Sequence, residues 1–258
     1  MKKYVLDLQV VAASSPREGY IQLELANPDG PLPEMCPGQF VQVRVDGEPQ
    51  TFLRRPISIN FVDHERQRLW LLVHAVGAGT RALAQLAEGA TLNVVLPLGH
   101  GFSLPQTADD RVLLVGGGVG TAPLLYLGQE IVRLGGRPSF LLGGRSSSDL
   151  LQLDMFERFG DVFLTTEDAS IGEKGFVTAH SLWKDAKFDR IYTCGPRPMM
   201  MAVARLAREM NIPCEVSLEN MMACGLGACL CCVENTTDGH VCVCQEGPVF
   251  PAEKLFID

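Results

Sequence analysis

The sequence predicts three regions of different build: an all-β region over residues 1–102, a parallel-sheet α/β region over 103–217, and a short cysteine-organised segment over 218–258. Three observations carry this division. Apolar and polar residues alternate with period two in the first region. From residue 111 the pattern changes to continuous apolar strands separated by helical stretches. The last 40 or so residues follow neither period, yet they hold six of the nine cysteines.

In the first region, Val5-Leu6-Asp7-Leu8-Gln9-Val10, Tyr20-Ile21-Gln22-Leu23-Glu24-Leu25 and Phe40-Val41-Gln42-Val43-Arg44-Val45 alternate, which puts one strand face inward and one outward. Pro-Asp-Gly-Pro at 28–31 and Asp-Gly-Glu-Pro at 46–49 are turns. Leu69–Val73 and Leu92–Leu96 read as further strands, with a short helix near 80–87 between them. Closely spaced short strands of this kind make a small barrel or sandwich. In the second region, Arg111–Val115 is a continuous apolar strand, followed by a glycine-rich turn and an amphipathic helix over about 122–134. Strands at 138–142, 161–164 and 190–193 alternate with helices at 149–158 and about 198–210. Such alternation means βαβ units and a parallel sheet.

Composition bounds the function. The chain has 258 residues, long enough for two domains. Hydrophobic residues make up 47% and charged residues 20%, the balance of a soluble globular protein rather than a disordered one. The net charge of −8 argues against nonspecific nucleic-acid binding, which needs basic surface to displace counterions. Asp7 interrupts the apolar start before a signal peptide can form, and no apolar run approaches the roughly 18 residues of a membrane span. A cytoplasmic chain is expected. Clustered cysteines there are metal ligands more often than disulfides.

Cys224, Cys229 and Cys232 form C-x4-C-x2-C, the plant-type spacing for a [2Fe–2S] cluster, with a fourth cysteine further on. Four thiolates reaching two irons from one loop need sharply bent backbone, and Gly225 and Gly227 supply it. A structural zinc site also uses four cysteines, but it pairs them as C-x2–4-C at both ends, and Cys242-x-Cys244 is too short. Spacing alone leaves Cys242 or Cys244 as the fourth ligand and Cys231 as a spare thiol.

Gly116-Gly117-Gly118-Val119-Gly120-Thr121 follows a buried strand and opens a helix, the context of a phosphate cradle. The G-x-G-x-x-G fingerprint is broken at Thr121, and Gly143-Gly144-Arg145 stands where an acidic ribose partner is usual. The turn therefore belongs to a nucleotide site of another lineage. Arg55-Pro56-Ile57-Ser58 joins a pre-set arginine to a hydroxyl, which suits a diphosphate or ribityl chain; otherwise it is an exposed strand end.

Taken together, Arg55–Ser58, Gly77-Ala78-Gly79-Thr80, Leu96–Phe102, Gly116–Pro123 and Cys194-Gly195-Pro196-Arg197-Pro198-Met199 resemble the ferredoxin–NAD(P)H reductase superfamily. The cysteine loop and Cys244-Gln245-Glu246-Gly247-Pro248-Val249-Phe250 resemble, more narrowly, the electron-transfer subunits of NAD-dependent (class 1B) dihydroorotate dehydrogenases. The resemblance implies an antiparallel FAD-binding β-barrel, a parallel-sheet NAD-binding domain and a [2Fe–2S] cysteine-loop domain. It implies that Arg55, Pro56, Ile57, Ser58, Leu72, Val73, His74, Gly79 and Thr80 contact FAD. Gly116, Gly117, Gly118, Val119, Gly120, Thr121, Cys194, Gly195 and Pro196 are expected to face NAD, with Cys194 near the point of hydride transfer. It selects Cys224, Cys229, Cys232 and Cys244 as cluster ligands. The partner it implies is an FMN-containing catalytic subunit, two copies of each chain, in pyrimidine biosynthesis. The rival relatives are flavin subunits of NADH-dependent ferredoxin–NADP+ transhydrogenases and of sulfide or sulfite reductases. Arg145 would suit a 2′-phosphate and so NADP.

Overall fold

The structure, a computed structural model, describes residues 2–184 and 187–256. The alternating segments form β1 (Tyr4–Ser14), β2 (Tyr20–Ala26), β3 (Phe40–Val43), β4 (Arg55–Asp63), β5 (Arg68–His74) and β6 (Thr91–Leu98), with a short α1 (Ala78–Leu83) before β6. They close into a barrel in the order β1-β2-β5-β4-β3-β6, every neighbouring pair antiparallel. One face of each strand fills the interior. Leu8, Val10, Leu23, Leu25, Val41, Val43, Ile59, Leu71, Val94 and Leu96 are all fully buried there. Each such side chain contributes roughly 1.5–3 kcal/mol over its exposed state. Truncating Leu71 to alanine would cost about 2–5 kcal/mol because the closed wall cannot collapse onto the gap.

The second region follows with β7 (Val112–Gly117), α2 (Ala122–Arg133), β8 (Ser139–Gly144), α3 (Leu153–Phe159), β9 (Asp161–Thr166), the short β10 (Glu173–Lys174), β11 (Arg190–Cys194), α4 (Arg197–Glu209) and β12 (Cys214–Ser217). After it come the hairpin β13 (Val233–Thr236) and β14 (Gly239–Cys242), one turn of α5 (Val243–Glu246) and β15 (Val249–Pro251). The sheet order is β10-β9-β8-β7-β11-β12-β15, parallel except for β15, which lies antiparallel on β12. The chain steps outward from β7 to β8 and β9, then returns to the other side of β7 as β11. This reversal opens a crevice beyond the carboxyl ends of β7 and β11, where open α/β sheets take their ligands.

Helix α2 joins barrel and sheet. Asn60 of β4 donates to the Ala122 carbonyl at 3.0 Å. Tyr126 packs into the barrel core and its hydroxyl donates to the Met35 carbonyl at 2.8 Å. The helix expected over 149–158 begins later. Residues 147–149 are a 3-10 turn, and Gln152 adopts a left-handed φ of 57° that separates it from α3. The cysteine-rich end contains more regular structure than its composition predicts, because Thr237 and Asp238, followed by Gly239 at φ 100°, turn the β13–β14 hairpin. Among the described residues, no helix is long and apolar enough to cross a membrane.

Candidate functional site

At the switch point the two glycine-bearing loops touch. A Cβ on Gly120 would lie 2.4 Å from the Gly195 Cα and 2.6 Å from its nitrogen. Only a residue without a side chain allows the turn after β7 to meet the turn after β11. Gly118, at φ 55°, has open space where its side chain would be. Gly117, Gly118, Val119 and Gly120 line a cavity of about 710 Å³, closed on other sides by Gly143, Gly144 and Arg145 and by Gly195 and Pro196. Gly116 and Thr121 lie beneath it, where Thr121 is buried and its hydroxyl donates to the Gly118 carbonyl at 3.0 Å. The barrel supplies the remaining wall through Tyr20 and His74, whose rings stack at 4.3 Å and 2°. Arg17 sits over the Tyr20 ring and pairs with Asp149, which also lines the cavity. Burial raises the Asp149 carboxyl, but Arg17 and the backbone N–H groups of Ser146 and Arg145 outweigh it and hold the group ionised.

Cys194 ends β11, buried and immediately before Gly195 of the crevice wall. Burial pushes its thiol up to about 12, against a hydrogen bond with Ser217 and with the Glu219 charge adding to the rise. It is therefore a protonated thiol at neutral pH: a weak donor and a wall, not a base or nucleophile.

On the barrel, Arg55, Pro56, Ile57 and Ser58 open β4, all half-buried. Arg55 meets the motif 24 positions on: a Cβ on Gly79 would lie 3.2 Å from Arg55 Cδ. The Thr80 hydroxyl accepts from the Gly77 N–H at 3.0 Å and so fixes that turn. Pro56 and Ser58 share the outer face with Asn60, by the strand's period of two. Ile57 and Val73 pack toward the barrel core, which leaves only their main chain to the outside. Leu72 packs outward with Tyr20, Ala122 and Leu151, between barrel and sheet.

The cysteine loop lies on the outer face of the same barrel wall. Phe40 of β3 shares a core cluster with Cys232, Val243, Cys244 and Phe250. Gly225 (φ 68°) and Gly227 (φ 79°) curl the loop so that N–H groups aim at sulfur. Leu226 donates to Cys224 Sγ at 3.3 Å, Gly227 to Cys244 Sγ at 3.1 Å, and the Cys244 N–H to Cys232 Sγ at 3.4 Å. Cys229 hydrogen-bonds Cys224. Burial raises Cys224, but the N–H groups of Leu226, Cys229 and Ala228 prevail and bring it down to about 6. Burial pushes the more enclosed Cys244 up to about 12, which a positively charged metal centre offsets.

Cys242 behaves differently. Among the described residues it accepts no N–H, and its own thiol donates to the Gly227 carbonyl at 3.9 Å. Cys231 is exposed. A thiolate ligand accepts hydrogen bonds, as Cys224, Cys232 and Cys244 do here from main-chain N–H groups, and Cys229 stands within hydrogen-bond reach of Cys224, so the donor set fits these four cysteines. Among the described residues no three such side chains converge on one metal-ion point. That spread is compatible with a cluster that divides four sulfurs between two irons. Of the other cysteines, Cys214 is buried whereas Cys36 is exposed, so only Cys214 is a core residue.

Sequence reasoning missed Arg17, Tyr20 and Asp149. Tyr20 looked like one more alternating strand residue, and nothing local in the sequence reveals the Arg17–Asp149 pair, 132 positions apart.

Comparison with known proteins agrees with this geometry. Residues 219–256 match the family model for the iron-sulfur cluster binding domain of dihydroorotate dehydrogenase B. The chain is 41% identical over 226 residues to the dihydroorotate dehydrogenase B (NAD(+)) electron transfer subunit of Shouchella clausii strain KSM-K16, covering 86% of each chain. It is 40% identical over 223 residues to the protein of that name from Caldanaerobacter subterraneus subsp. tengcongensis, covering 85% of this chain and 86% of the relative. Among solved structures, one describing an NADH-dependent reduced ferredoxin-NADP oxidoreductase superposes with a TM-score of 0.86 at 30% identity, over 100% of this chain and 92% of that one. Phthalate dioxygenase reductase shares the fold, with a TM-score of 0.65 at 22% identity over 79% of this chain and 64% of that one.

Proposed function

The chain belongs to the electron transfer subunits of dihydroorotate dehydrogenase B (NAD(+)), and on that premise we propose that it carries electrons from a catalytic partner subunit to NAD+ in pyrimidine biosynthesis. The observation that carries the reading is one shared wall. The outer face of β3 and β4 bears the cysteine loop at one strip and Pro56 and Ser58 at the next, while the β7–β11 crevice opens beside them.

The bound groups supply the redox chemistry: a [2Fe–2S] cluster exchanges single electrons, FAD gathers two, and NAD+ takes a hydride. The chain's own residues hold and orient. Cys224, Cys229, Cys232 and Cys244 are the cluster ligands. Arg55 would meet the FAD diphosphate beside Gly79 and Thr80. Pro56, Ser58 and the main chain of Ile57, Leu72 and Val73 would border the flavin. His74, braced by Tyr20, would stand at its edge. Gly116 to Thr121, with Gly195 and Pro196, admit the dinucleotide through glycine backbone that lets phosphate approach. Cys194 would lie near the point of hydride transfer as a neutral thiol.

The partner is an FMN-containing catalytic subunit, two copies of each chain making the complex, in the cytoplasm. It contacts the cysteine loop, where Met221, Leu226 and Leu230 are 83%, 47% and 64% exposed, an apolar patch that a solvated loop does not need. The fold also supports a second reading, the flavin subunit of an NADH-dependent ferredoxin–NADP oxidoreductase, given the 0.86 superposition. The higher identity to the dihydroorotate dehydrogenase subunits favours the first. Iron, flavin and visible-spectrum analysis of the purified chain tests the site. One FAD and two irons per chain are expected; stoichiometric zinc without iron would refute it.

A further inference from the structure

Gln42 sits on β3 with no solvent exposure at all. Among the described residues, neither Oε1 nor Nε2 of its side chain has a hydrogen-bond partner. Buried amides are almost always paired, and an apolar side chain of the same size would sit in such a place more cheaply. An amide kept there is matched to a group it meets when the protein is loaded.

Its surroundings identify that group. Val41 and Val43 point into the barrel, so Phe40 and Gln42 point out, toward the cysteine loop. Gly225, the residue after Cys224, lies directly against it. A Cβ on Gly225 would be 2.8 Å from Gln42 Cγ and 2.9 Å from Nε2. Across the ladder Gln42 pairs with Pro56, and Phe40 with Ser58. Directly opposed residues share a face, with Cβ atoms roughly 4.5–5.5 Å apart. Gln42 thus stands between the strip beneath the cysteine loop and the strip that begins with Arg55. Its main chain is fixed too, because Arg54 Nη1 donates to its carbonyl at 3.2 Å.

We propose that Gln42 is a positioning residue whose side-chain N–H donates to sulfur at the Cys224 end of the [2Fe–2S] site and so sets the reduction potential of that centre toward the flavin. Sulfur in such a centre is an acceptor only, which matches an unpaired N–H donor. A half-turn of the amide exchanges its two ends, so the NH2 reaches whichever side presents sulfur. The loop already directs several main-chain N–H groups at its sulfurs, and Gln42 adds a side-chain donor from the barrel. Reduction adds negative charge to the centre, so an N–H···S bond stabilises the reduced form more than the oxidised one. Losing it lowers the potential.

The inference rests on the cluster reading above, and the test separates the two. The holoprotein and its Gln42→Met variant, which keeps length and volume, are titrated electrochemically with EPR detection of the reduced cluster and absorbance detection of the flavin. The expected result is full iron content and an unmoved flavin midpoint. The cluster midpoint falls by up to a tenfold change in the reduction equilibrium, about 59 mV for one electron. Should the methionine variant lose iron, Gln42→Asn, which retains an amide one methylene shorter, must show the same downward shift. No iron in the unsubstituted protein overturns the cluster reading. Iron present with an unmoved cluster midpoint overturns the proposal alone, as does a shift confined to the flavin.

Discussion

Replacing Gly120 by alanine puts a methyl group where the backbone of Gly195 already lies. The new carbon would stand 2.4 Å from the Gly195 Cα, 2.6 Å from its nitrogen and 2.8 Å from the Cys194 carbonyl carbon. All three contacts are main chain, so no rotamer change relieves them. The β7 and β11 loops must move apart. Overpacking of this kind costs about 1–3 kcal/mol. If the cost falls on the crevice, it appears in kcat/KM for NADH at about 1.4 kcal/mol per tenfold, a loss of roughly 5- to 150-fold. The assay is NADH-dependent reduction of a one-electron dye by the holoprotein, with flavin and iron contents measured in parallel. Flavin and iron should stay at their normal levels, because the clash falls on the main chain of Cys194 and Gly195 and on none of the residues proposed to hold the flavin or the cluster. A Gly120→Ala protein that folds, keeps its flavin and retains the original kcat/KM for NADH would refute the claim that this crevice receives the dinucleotide.

Other outcomes follow from the same geometry. Cys244→Ser should lose the EPR signal of the cluster, whereas Cys242→Ser and Cys231→Ser should keep it; the reverse pattern would reassign the fourth ligand. Burial raises the folded-state pKa of Cys194 from 9.0 to about 12, so the unfolded chain releases this proton first as pH rises. The folded form therefore loses stability between about pH 9 and 12. Denaturant melts across that window should show a shallower loss in Cys194→Ala. Leu226→Lys and Leu230→Lys should keep the cluster yet weaken association with the catalytic subunit, read by sedimentation or light scattering; unchanged association would move the contact surface elsewhere.

How far these features were legible in the sequence differs by element. The barrel strands with an aliphatic inner face, such as β2 and β3, announce themselves by period two. Strand β4 does not, because Arg55, Pro56 and Ser58 interrupt the apolar pattern where its outer face meets other elements. The cysteine spacing was readable, and the choice of Cys244 rested on the tail that follows it. Its physical basis, the Gly227 N–H aimed at Cys244 while Cys242 donates away, exists only once the loop is folded. Gln42 reads as an ordinary outward polar residue; its burial comes from a loop more than 180 positions later in the chain. Helix α3 starts late because Asp149 is engaged by Arg17 and by the backbone of residues 145 and 146, a long-range competition with local propensity.

The most direct test of the account is reconstitution. The holoprotein is assayed for NADH formation from dihydroorotate and NAD+, alone and with an FMN-containing dihydroorotate dehydrogenase catalytic subunit of the same family. The account predicts no turnover by this chain alone, steady NADH formation when both subunits are present, and loss of that activity in Cys244→Ser while the catalytic subunit still reduces its own artificial acceptors. Dihydroorotate oxidation by this chain alone, or undiminished NADH formation by the complex with the cluster removed, would contradict it.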